Sequence, residues 1–77
     1  MTVSYKKLWK LLIDRDMKKK DLIEAADISQ SSLSKMGRNE NVNTDILVKV
    51  CKALNCDIGD IMEIINSDEE KRNGYYP

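Results

Sequence analysis

Apolar residues recur at steps of three and four over most of this chain, separated by short polar breaks, and that spacing predicts helices. Tyr5, Leu8, Trp9, Leu12 and Ile13 set the inner face of a first helix, with Ser4 as N-cap and an end near Asp14. A second helix, about Lys19 to Ala26, presents Leu22, Ile23 and Ala26. Asp27-Ile28 makes a tight turn with Ile28 inward. Ser29 then caps a third helix, Gln30 to about Met36, whose inner residues are Leu33 and Met36. Gly37-Arg38-Asn39-Glu40-Asn41-Val42 reads as a loop, because Gly37 stops a helix and asparagine suits turn backbones. Asn43 caps a fourth helix in which Ile46, Leu47, Val50, Cys51 and Leu54 keep the helical period until Asn55 ends it. Asp57 is expected to cap a fifth, carrying Ile58, Ile61, Met62 and Ile65. From Ser67 onward, SDEEKRNGYYP, the period disappears. The predicted organisation is one domain over residues 1–66 and an acidic, mobile tail over 67–77.

Composition sharpens the class. At 77 residues the chain is near the lower limit for a self-sufficient core, a size at which oligomerising often adds stability. The residues are 42% hydrophobic, with no Phe, one Trp and three Tyr, which describes an aliphatic core. Three glycines and a single proline, at the last position, leave helices unbroken. The predicted fold class is all-α. A formal net charge of zero conceals an uneven layout: residues 1–52 carry 11 Lys/Arg against 7 Asp/Glu, and residues 53–77 carry 2 against 6. A basic body suits a polyanionic partner.

Two cysteines and no histidine exclude a four-ligand zinc site and a Cys–His catalytic pair. Cys51 and Cys56 stand at apolar positions and read as buried, reduced thiols. The apolar run Leu11-Leu12-Ile13 is followed by Asp14 and Asp16, too short for a signal sequence or a membrane span. A core helix is favoured there over a membrane-surface helix, and a cytoplasmic location is expected.

Ser29-Gln30-Ser31-Ser32 contributes little to a core. A helix turns about 100° per residue. With Leu33 and Met36 inside, Gln30, Ser31, Ser34 and Lys35 therefore fall mainly on the opposite side, and no acid occurs between Ile28 and Asn39. A helix made for solubility shows Glu and Lys four apart. An acid-free, basic-polar face suits the major groove instead: Gln pairs with adenine, Lys with guanine, Ser with phosphate or either base. Unused surface is the alternative. Lys18, Lys19 and Lys20 cluster at the start of helix 2, the positive end of its dipole, where each cation costs about 0.3–1 kcal/mol. A bound phosphate turns that cost into affinity; lysines kept for solubility are the alternative. The acids Asp57, Asp60, Glu63, Asp68, Glu69 and Glu70 have no nucleophile, metal set or Gly-rich phosphate loop beside them. The expectation is no catalysis, no cofactor, no metal and no small-molecule ligand.

MKKKDLIEAADISQSSLSKM, Met17 to Met36, resembles the helix-turn-helix of the Cro/cI-type DNA-binding regulators, with Leu22, Ile28, Leu33 and the run ISQSSLSK in register. VNTDILVKVCKALNCDIGDIMEII is similar to the family's fourth and fifth helices. The likeness covers about residues 4–65 and is nearest to the small stand-alone bacterial members. It implies a compact five-helix, lambda-repressor-like fold that binds double-stranded DNA as a homodimer, with helix 3 in the major groove and helix 2 above the backbone. It implies base-edge positions for Gln30, Ser31 and Lys35, with Ser34 on the same side. It implies phosphate positions for Lys19, Ser29, Ser32, Arg38 and Asn39, to which the lysine cluster adds Lys18, a plain loop role remaining open for Asn39 and Asn41. Three departures stand out: Asp27 where the turn usually has Gly, Ile23 where Ala is frequent, and Lys18 where Ser or Thr caps helix 2. The expected function is a sequence-specific transcriptional regulator, a repressor in the absence of any sensing domain. The competing reading is an antitoxin-like protein-interaction module with secondary DNA binding. Ile64, Ile65 or Leu11 would supply a dimer seam.

Overall fold

The structure is a computed structural model and describes residues 2–65. The tail expected at 67–77 lies outside the described residues. A short strand β1 (Thr2–Ser4) leads into α1 (Lys6–Asp14), α2 (Lys19–Ala26), α3 (Gln30–Gly37) and α4 (Thr44–Leu54). A single 3-10 turn (Ile58–Asp60) and a strand β2 (Glu63–Ile65) follow. Helix α2 packs on both α3 and α4, and the 3-10 turn packs on α1 and α4.

Among the described residues each of the four α-helices stops by the same device. The backbone turns left-handed at Asp16, Asp27, Asn39 and Asn55, with φ of 56°, 56°, 58° and 54°. The N–H one residue later reaches back to a carbonyl five positions upstream: Met17 to Leu12 at 2.9 Å, Ile28 to Ile23 at 3.2 Å, Glu40 to Lys35 at 2.9 Å, Cys56 to Cys51 at 3.0 Å. This is the Schellman arrangement, in which the two residues joined by that bond bring their side chains together. Short Asx side chains tolerate the left-handed region better than other non-glycine residues, so the chain ends four helices there without glycine. Asp27 is thus an adequate substitute for the usual turn glycine.

The core comprises Tyr5 just before α1, Leu8 and Leu12 from α1, Leu22 and Ala26 from α2, Ile28, Leu33 and Met36 around α3, Val50 and Leu54 from α4, and Ile61. Tyr5 also fastens distant segments. Its N–H donates to Asn39 Oδ1 at 3.2 Å and its buried phenol donates to the Glu40 carbonyl at 2.9 Å, tying the start of α1 to the turn after α3. Arg15 donates to the Leu54 carbonyl, placing a cation at the negative end of α4.

Several expectations need correcting. The fifth helix is absent from the described residues: Asp57 does cap a turn, its N–H donating to Asp60 Oδ2 at 3.0 Å, but the turn ends at Asp60. Glu63-Ile64-Ile65 instead pairs antiparallel with β1, in the register Thr2↔Ile65, Val3↔Ile64, Ser4↔Glu63. Gly59 weakens a helix here, and β-branched Thr2, Val3, Ile64 and Ile65 favour a pleated pair whose ladder satisfies both backbones. Ser4 belongs to β1, so Tyr5 is the N-cap of α1, although Ser4 Oγ accepts from the Lys6 N–H at 3.3 Å. Ile13 is 73% exposed rather than inward. The stripe Tyr5, Leu8, Leu12 fixes the buried side of α1, and Ile13 lies one helical step, about 100°, beyond Leu12. Both thiols are free and half-buried rather than fully enclosed.

Candidate nucleic-acid interface

Helices α2 and α3 and the Asp27-Ile28 turn between them build the site. Lys18 precedes α2 as its N-cap and offers no acceptor; Asp21 Oδ2 takes the Lys18 N–H instead, at 2.8 Å. A carboxylate in the first turn thereby offsets part of the repulsion between the dipole and the three lysines. The Lys19 ammonium rests 4.7 Å above the Trp9 ring, a cation–π contact that holds it at the mouth of α2. Lys18 and Lys20 are exposed.

Ser29 caps α3, accepting from the Ser32 N–H at 3.0 Å while its own hydroxyl donates to Ser32 Oγ, also at 3.0 Å. The Ser29 proton is therefore occupied, and the Ser32 hydroxyl is the one of the pair left to donate outward. Gln30, Ser31 and Lys35 are exposed and Ser34 is half-buried, on the side away from buried Leu33 and Met36. Residues 30 and 34, and 31 and 35, are four apart, so the polar face is one stripe.

Two clefts flank the stripe. One, of about 290 Å³, is lined by Lys19, Gln30, Leu33, Ser34, Gly37 and Arg38, and joins the start of α2 to α3. The other, of about 240 Å³, is lined by Ser32, Lys35, Asn41, Val42, Asn43 and Ile46. Lys19, Gln30, Ser34 and Arg38 are thus brought together on one flank, and Ser32 and Lys35 on the other. Lys18, Ser29, Ser31 and Asn39 line neither cleft. Asn39 has a structural task, its Oδ1 accepting from Tyr5.

Three features of the site carry no signal in the sequence. Trp9, a core position by its spacing, also carries Lys19 on its ring. Asn43 precedes α4 but its side chain makes no capping bond and lines the same cleft as Lys35. Glu40 pairs with Arg38, Oε2 to Nε at 2.7 Å, and its field also meets Lys35 through the Schellman turn. The Arg38 hydrogen bond holds the Glu40 carboxyl below its ordinary range and Glu40 raises the guanidinium in return. The acid-free face therefore has an acid at its rim. Replacing Glu40 by glutamine is expected to raise affinity for duplex DNA of any sequence by about two- to threefold, the size of one screened surface charge. Fluorescence anisotropy at fixed salt checks it; weaker binding would mean that Arg38 needs Glu40 to hold its position.

Residues 7–67 match the family model of the Cro/C1-type HTH DNA-binding domain. Among solved structures, the crystal structure of the transcriptional regulator VanUg, form II, is similar, with a TM-score of 0.78 and 60% sequence identity. That match covers 80% of this chain and 83% of that one. No curated protein matches in sequence.

Proposed function

Since this chain belongs to the family of Cro/C1-type HTH DNA-binding domains and acts as a DNA-binding transcription regulator, we propose that it is a repressor that reads the major groove with α3. The observation that carries the reading is the polar stripe Gln30, Ser31, Ser34 and Lys35 on the outer side of α3, with Lys19 and Arg38 along one flank. Gln30, Ser31, Ser34 and Lys35 face base edges. Lys18, Lys19, Ser32 and Arg38 meet phosphates, and Ser29 and Asn39 shape the backbone that presents them.

One eight-residue helix contacts few base pairs, so useful discrimination calls for two copies on a two-fold site with half-sites about 34 Å apart. Homodimerisation belongs to the proposal. Ile64 on β2 is 60% exposed and is the residue of the expected seam still open to solvent, whereas Leu11 packs against the core. No helix among the described residues is long and apolar enough to cross a membrane, and a cytoplasmic site of action fits a DNA ligand. Binding and occlusion need no catalytic step.

Selection of bound duplexes from a random pool is the direct test. Enrichment of one two-fold motif is the expected outcome. Lys19→Ala should then weaken binding to all sequences alike and flatten the salt dependence by about one unit of log–log slope. A pool that shows no enrichment, or binding indifferent to salt, would sink the reading.

A further inference from the structure

The backbone bond of each of the four Schellman turns draws a pair of residues close, and the pairs are of three chemical kinds. Leu12 with Met17 and Ile23 with Ile28 are apolar pairs in or against the core, and Lys35 with Glu40 is a pair of opposite charge. At the end of α4 the pair is Cys51 with Cys56. The 3.0 Å bond from the Cys56 N–H to the Cys51 carbonyl, with standard bond lengths, keeps the two Cα atoms within about 7 Å, inside the reach of a disulfide. A second bond, Asn55 N–H to the Lys52 carbonyl at 3.3 Å, pins the same turn. Both cysteines line one surface groove of about 310 Å³ with Val48, Lys52 and Ile58, so a small reagent has access.

We propose that Cys51 and Cys56 are an oxidisable dithiol, a site at which a small-molecule disulfide converts them into an intramolecular disulfide across the C-terminal turn of α4. The Cys56 thiolate attacks one sulfur of the reagent and expels one small thiolate, leaving a mixed disulfide. The Cys51 thiolate then attacks Cys56 Sγ and expels the second. The protein gives up two electrons and the two thiol protons, and the reagent leaves as two thiols. Burial pushes the Cys51 thiol up to about 11 and raises Cys56 as well, while Arg15 lowers Cys56 and Asp57 and Asp60 raise it. Closure is accordingly slow at neutral pH and speeds up about tenfold per pH unit while both thiols stay mostly protonated. The site is independent of the DNA-binding reading.

The test uses the full chain, reduced, then exposed to excess oxidised glutathione at alkaline pH. The expected product is a monomer lighter by about 2 Da with both thiols lost. Because trypsin cuts after Lys52, its digest should contain the two cysteine peptides joined. Cys51→Ser and Cys56→Ser proteins should each hold one glutathione, heavier by about 305 Da, and stop there. The closed wild-type protein should melt several degrees above the reduced one, since the link restrains the unfolded chain without displacing the folded turn. Persistent glutathionylation of the wild-type chain, covalent dimers, or a closed form that melts lower would each overturn the proposal.

Discussion

Replacing Lys35 by alanine is expected to cost about 1–3 kcal/mol on the selected operator, roughly 5- to 150-fold in affinity, and to relax preference at one base position. The size follows from where Lys35 stands. Its ammonium is on the exposed stripe of α3, its neighbours Ser32 and Asn43 are polar, and the packed positions Leu33 and Met36 are on the far side. The substitution should therefore leave the fold intact, since surface changes away from packed or capped positions alter stability by about 0.5 kcal/mol or less. Lys35→Glu should be worse, because it sets a second acid beside Glu40 against a polyanion. Titrations of the wild type and both variants against the operator and a scrambled duplex separate the roles. A loss confined to the operator marks a base contact. An equal loss on both duplexes would reassign Lys35 to a phosphate, and unchanged affinity would remove it from the interface.

Leu22→Ala is expected to lower stability by about 2–5 kcal/mol. Leu22 is completely buried, on the helix that packs against both α3 and α4. Removing its branched end leaves a cavity that a small domain cannot readily refill. A domain of this size has only about 5–15 kcal/mol in total, so a large share of the variant should be unfolded well below the wild-type melting temperature. Urea titration followed by circular dichroism measures the change, and Leu22→Met, which keeps most of the volume, should cost less than about 1.5 kcal/mol. Operator binding should fall with the folded fraction and recover for Leu22→Met. Full stability of the alanine protein would mean that α2 is not held as described.

The polar outer stripe of α3 was legible in advance because a helix converts spacing into direction. Once Leu33 and Met36 are inside, the sides taken by Gln30, Ser31, Ser34 and Lys35 follow from the turn per residue. The end of α2, the start of α3 and the end of α4 were legible for a related reason: Asp27, Ser29 and Asn55 act on backbone groups within a few residues of themselves. The starts of α1 and α4, by contrast, carry no side-chain cap, and Gly37, expected to stop α3, lies within it. Less legible was what each polar side chain would be engaged with. Ser29 and Ser32 look alike in the sequence, yet only the fold shows that the first donates its proton to the second.

By itself, then, the sequence determined four amphipathic helices, the tight turn between α2 and α3, and the neutral-to-basic face of α3. All of these depend on contacts between residues three to five positions apart. The tertiary structure alone decided that Glu63–Ile65 is a strand, because its partner, Thr2–Ser4, lies some sixty positions away and no local period registers that pairing. It decided likewise that Trp9 supports Lys19, that Tyr5 anchors the turn holding Asn39 and Glu40, and that Ile13 faces water. Periodicity fixes which side of an element is buried. Which distant group meets the other side is settled only when the helices pack.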